Sequence, residues 1–152
     1  MSQEIEKSAI IFHGGGETPD SIWIPYVQAG LEKRGFTVTI PQLPAASERP
    51  ELDEWLPPVL ELPYTNNTIL IAHSGGSALA LSILERLRGV TIRQAILVAG
   101  FATPNEVDVS WFEGQNPILQ GSYNWDKIRS SAGQVICLNS DDDPYGCNDK
   151  KG

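Results

Sequence analysis

The chain has 152 residues, 41% of them hydrophobic and 20% charged, which suits one soluble domain with a core and excludes a disordered chain. A net charge of −8 speaks against nucleic acid or an anionic membrane as partner, because both require clustered Lys and Arg to replace counterions. No apolar run approaches the ~20 residues needed to span a bilayer. The start, Met1 to Lys7, is polar and acidic, unlike a signal peptide, so a cytoplasmic location is expected.

Ala9 to Phe12 is a short apolar run ending in His13-Gly14-Gly15-Gly16, a buried strand followed by a turn. Asp20 or Ser21 then caps a helical spacing of Ile22, Trp23, Tyr26, Val27 and Leu31, which Gly35 closes. Phe36 to Ile40 is rich in β-branched residues and reads as a second strand. Pro41 to Pro50 is a loop. Glu51 to Leu62 has helical composition, with Pro57-Pro58 in its middle predicting a helix in two pieces.

A third strand is expected at Thr68 to Ala72, and a strong helix from Ser77 to Arg88 ends at Gly89. A fourth strand covers Ile92 to Ala99. Gly100 to Gly121 is irregular. A short helix over Trp125 to Ala132 precedes a fifth strand at Gln134 to Leu138. Cys137 lies in the apolar stretch QVICLN and is expected in the core. Two cysteines, Cys137 and Cys147, make no disulfide framework, and no CxxC is present for zinc.

Strands that alternate with helices imply a parallel sheet covered on both faces, with ligands at the carboxyl ends of its strands. Three loops stand there: His13 to Gly16, His73 to Gly76, and Asn139 to Pro144.

The middle loop carries the strongest signal. I-L-I-A-H-S-G-G-S, residues 69–77, places Ser74 between an apolar strand and a helix, with Ala72 two before and Gly76 two after. A serine hydroxyl becomes a useful nucleophile when a sharp strand-to-helix turn holds it clear of the sheet, and that turn needs small neighbours. The Gly75 N–H would then point at a developing oxyanion, with the Gly14–Gly15 loop supplying a second donor. The competing reading of A-H-S-G-G is a tight turn and helix cap. The competing reading of the triple glycine is a phosphate cradle, but G-x-G-x-x-G is absent and Glu17 would repel phosphate.

His73 reads as a local packing residue. His13 reads as lining the site, with the role of base open to it. Asp141-Asp142-Asp143 fits a solvated loop, a helix cap or the acid of a triad, and the order serine then aspartate is that of α/β-hydrolases. A metal site there is disfavoured for want of accompanying ligands. Trp111, Phe112, Tyr123 and Trp125 either line a small apolar pocket or pack in the core.

Taken together, the G-G-G loop at 14–16 with Trp23 and L-E-K at 31–33, the I-A-H-S-G-G segment, Trp125-Asp126-Lys127-Ile128, and S-D-D-D-P at 140–144 resemble the small serine hydrolases of the retinoblastoma-binding protein 9 and YdeN type. That family lies within the α/β-hydrolase superfamily, and the resemblance covers nearly the whole chain. It implies one domain over residues 1–152: a three-layer sandwich on a five-stranded parallel sheet of order 2-1-3-4-5. It implies Ser74 as nucleophile, Asp143 before Pro144 as acid, a small ester or amide substrate, and no metal or organic cofactor.

The resemblance also implies a third catalytic residue, a histidine after one more helix and strand. The histidines here are His13 and His73, both before Ser74. The chain therefore reads as C-terminally shortened, with its triad incomplete and activity of this form in doubt. An uncovered sheet edge is then expected to favour self-association or marginal stability. Two other functions fit parts of the pattern: a non-catalytic protein-interaction domain that keeps the fold, and a flavodoxin-like nucleotide binder, against which the acidic chain speaks.

Overall fold

A computed structural model describes residues 5–44, 49–104 and 116–148. Five strands, β1 (Lys7–Phe12), β2 (Phe36–Thr39), β3 (Thr68–His73), β4 (Gln94–Val98) and β5 (Val135–Leu138), form one parallel sheet of order β2-β1-β3-β4-β5. This is the expected order. The crossovers contain α1 (Ile24–Glu32), α2 (Leu52–Leu60), α3 (Gly75–Arg86) and α4 (Trp125–Ser130).

Alternation along the strands sorts side chains to two faces. Ile10, Phe12, Leu70, Ala72, Ala95 and Leu97 join the main core with Trp55 and Val59 of α2, Leu79, Ile83 and Leu84 of α3 and Ile128 of α4. Ile11 and Ile71 turn the other way and meet Ile24, Val27 and Leu31 of α1. The sheet is thus the middle layer of three. Helix α3 is buried from Gly75 to Leu84, which explains its near-continuous apolar and small composition.

Three sequence expectations give way. Helix α2 runs through Pro57 and Pro58 in a single piece. Both prolines stand on its exposed side, while Trp55 and Val59, one turn apart, are buried and hold it to the core. Helix α1 begins at Ile24, not at Ser21, because Ser21 Oγ is occupied accepting from Thr18 N–H at 2.8 Å in the preceding turn. Cys137 is exposed, not buried, because it lies on the edge strand β5; Cys147 is the buried thiol. Both thiols are free. Trp111 and Phe112 lie outside the described residues.

Candidate functional site

The carboxyl ends of β1, β3, β4 and β5 bring the three loops to one edge of the sheet. Parallel register puts Phe12 beside Ala72, His73 beside Val98, and Val98 beside Leu138. The chain leaves β3 with Ser74 N–H donating to the Val98 carbonyl at 2.9 Å. Ser74 then adopts φ +51°, ψ −120°, a conformation unfavourable for a residue with a side chain. Helix α3 starts at the next residue. Ser77 Oγ, one turn on, donates to the Ala72 carbonyl at 2.9 Å and secures the end of the strand to the helix.

The turn is tight enough to dictate its neighbours. A Cβ added to Gly76 would lie 2.5 Å from the His13 carbonyl oxygen and 2.9 Å from that of Phe12. A Cβ added to Gly14 would lie 3.1 Å from Ser74 Cβ and 3.1 Å from a Glu17 carboxylate oxygen. The first-strand loop therefore abuts the serine, and Gly14 is the point of contact. Gly75 and Gly76 open α3, where the first amides of a helix have no partner within it. Ser74 is half-buried and Gly75 buried.

His13 is fully buried. Its Nδ1 is 2.8 Å from the Gly14 carbonyl oxygen, and its Nε2 accepts from Leu43 N–H at 3.1 Å. These partners fix the tautomer with the proton on Nδ1 and occupy both nitrogens. The ring edge meets Trp55 at 5.7 Å between centroids. Burial holds the imidazole below its ordinary pKa, against the opposing pull of the Gly14 bond and the Glu17 charge. In this arrangement His13 ties the loop to the segment at Leu43 and offers no nitrogen to Ser74.

His73 points to the α1 side, where Trp23 meets it edge-on at 5.7 Å. Its Nδ1 lies 3.0 Å from both carboxylate oxygens of Glu17. Glu17 Oε2 also accepts the Gly14 N–H at 2.7 Å. Burial alone would raise the Glu17 carboxyl, but the His73 and Gly14 hydrogen bonds and the nearby imidazoles hold it below its ordinary value. This pair is the element that the sequence reading missed. Its only local signal is an acidic residue directly after a glycine turn.

Asp143, in the loop after β5, is half-buried. Its Oδ1 accepts from Tyr145 N–H at 2.8 Å and Cys147 N–H at 3.2 Å, which fixes the carboxylate in a turn and leaves Oδ2 for another donor. Asp141 and Asp142 are exposed. Burial and the Asp143 charge push the Cys147 thiol up to about 12, so it stays protonated. An apolar cavity of about 420 Å³ runs alongside β5, lined by Leu81, Leu97, Phe101, Trp125, Ile128 and Cys137 among others. Tyr123 packs on the main core and its ring lies tilted against Trp125, at 5.2 Å between centroids. Among the described residues no helix is long and apolar enough to cross a membrane.

The family model for serine hydrolases matches residues 9–151, from within β1 through the loop after β5. The chain belongs to the serine hydrolase family. It is 30% identical to YdeN of Bacillus subtilis over 140 residues, covering 90% of this chain and 71% of YdeN. It is 29% identical to the serine hydrolase RBBP9 of Rattus norvegicus over 135 residues, or 88% and 69% of the two chains. The crystal structure of YdeN superposes with a TM-score of 0.82 at 29% identity, over 91% of this chain and 74% of that one. A more distant likeness concerns the fold alone: ferulic-acid-bound Est1E of Butyrivibrio proteoclasticus has a TM-score of 0.55 at 20% identity, over 66% and 45%. The fold is that of α/β-hydrolases, as the motif pattern implied.

Proposed function

We propose that this serine hydrolase acts on small esters or amides through Ser74, and the observation that carries the reading is the strained turn at Ser74 packed against the Gly14 loop. Ser74 Oγ attacks the carbonyl carbon of the substrate, and its proton passes to a base. The carbonyl oxygen becomes an oxyanion that accepts from Gly75 N–H and from the glycine loop. The leaving alcohol or amine takes up a proton, and water then attacks the acyl-enzyme, releasing the acid and restoring the serine. Asp143, with one oxygen committed to its turn, stands in the place of the acid that would orient a triad histidine. No metal or organic cofactor enters these steps.

The histidine of that triad has no counterpart after Asp143 in this sequence, and His13 has no free nitrogen. Loss of a triad member costs ~10⁴ or more in kcat while binding and oxyanion stabilisation persist. Turnover by these 152 residues is therefore expected to be slow, and covalent capture of Ser74 is the more sensitive readout.

A fluorophosphonate probe is expected to label the protein at Ser74 and to leave Ser74→Ala unlabelled. A folded protein that never labels would overturn the catalytic reading. That outcome would favour a second reading, a non-catalytic interaction domain that keeps the fold. The observation behind the second reading is the edge strand β5, where Val135 and Leu138 are exposed. A self-associating chain or a protein partner paired along β5 would cover that edge.

A further inference from the structure

Gly14, Ser74 and Glu17 meet at one point, and the peptide of Gly14 is saturated there. Its carbonyl accepts from His13 Nδ1 at 2.8 Å and from Glu17 N–H at 3.3 Å. Its N–H donates to the Glu17 carboxylate at 2.7 Å. An amide already given to a carboxylate cannot also serve an oxyanion. The Gly15 N–H, one residue on, makes no hydrogen bond among the described residues.

The placement of Glu17 raises an electrostatic problem. A carboxylate bonded to Gly14, the residue that abuts Ser74, disfavours an oxyanion forming nearby, and more so where water is partly excluded. Glu17 has a side chain only 15% exposed, and its charge is met by two donors, Gly14 N–H and His73 Nδ1. His73 is the residue directly before Ser74, so the pair clamps the first-strand loop to the serine turn from both sides. Trp23 meets the His73 ring edge-on and packs beside it in that orientation. The titratable groups that face the carboxylate are His73 and His13.

We propose that Glu17 is a positioning residue: clamped by His73, it holds Gly14 against Ser74 and leaves Gly15 N–H as the second oxyanion donor beside Gly75 N–H. The inference rests on the reading of Ser74 as nucleophile for its catalytic consequence, though not for the clamp itself. A misplacement of about 1 Å near reacting atoms is enough to cost on the order of 10²-fold.

The test combines a rate with a spectroscopic signature. Glu17→Ala is expected to label with a fluorophosphonate about 10²-fold more slowly than wild type while still unfolding cooperatively. Glu17→Gln, which keeps an acceptor for Gly14 N–H, is expected to recover most of the rate. Gly15→Pro, which removes the assigned donor, is expected to label slowly. In the NMR spectrum of the wild type, the Gly14 amide proton is expected downfield, moving as Glu17 titrates below its ordinary range and shifting upfield in Glu17→Ala. Equal, measurable labelling of wild type and Glu17→Ala, or a Gly14 amide indifferent to Glu17→Ala, would overturn the inference. A wild type that fails to label, with the Gly14 signature intact, would instead overturn Ser74 as nucleophile and leave the clamp standing.

Discussion

Gly76 has no space for a side chain, and the atoms that exclude one are the carbonyl oxygens of His13 and Phe12. Backbone atoms at the end of a central strand cannot swing aside as a flexible side chain would. Gly76→Ala is therefore expected to destabilise the fold by roughly 3 kcal/mol, the upper part of the range for overpacking. Urea denaturation would show it as a lower midpoint at unchanged slope, and a midpoint equal to wild type would mean that β1 and α3 do not approach as closely as described. The need for small residues around Ser74 was legible in the sequence, because a sharp strand-to-helix turn imposes it locally. The role of Glu17 was not. Its partner His73 is 56 residues away, and only the pairing of β1 with β3 brings the two together. The tie that His13 makes was not legible for the same reason, since the contact that occupies its second nitrogen comes from Leu43.

Elements differ in how far local chemistry determines them. Helix α2 contains two prolines that by propensity alone oppose a helix interior by about 3 kcal/mol each. It forms because Trp55 is fully buried and its indole N–H donates to the Pro44 carbonyl at 2.9 Å. Tertiary burial outweighs propensity here, which is why a two-piece helix was the wrong expectation. Trp55→Ala is accordingly expected to cost ~3–5 kcal/mol, whereas Pro58→Ala at an exposed position is expected to stabilise, by less than the full propensity difference because proline also restricts the unfolded chain. Paired thermal melts would check the contrast, and a Pro58→Ala variant less stable than wild type would show that the proline shapes α2 in a way that its exposure does not reveal. Helix α3 and strands β1, β3 and β4 were legible because their hydrophobic pattern and their burial agree. Strand β5 was legible as a strand but not as an edge, and the error over Cys137 followed.

At the scale of the whole molecule, two electrostatic tendencies compete as the solution is acidified. The chain carries −8 at pH 7, and protonation toward its pI of about 4.6 relieves self-repulsion, which favours the folded state. Buried groups pull the other way. The folded-state pKa of His13 is depressed below 6.5, so between 6.5 and that lower value the unfolded chain binds a proton that the folded chain refuses. Its contribution is fully present above pH 6.5 and is lost as pH falls through the folded value. Glu17, also depressed, contributes above pH 4.5 and loses that contribution only at lower pH. Carboxylates are still largely ionised between pH 6.5 and 5.5, so relief of repulsion is small in that window and His13 governs the sign. The melting temperature is expected to fall between pH 7.5 and 5.5, and to fall less steeply in His13→Gln, whose starting stability is lower because two buried hydrogen bonds are disturbed. A wild-type stability that is flat or rising across that interval would mean that His13 takes up a proton freely in the folded state. The bond from Leu43 N–H to its second nitrogen could not then be part of the folded protein.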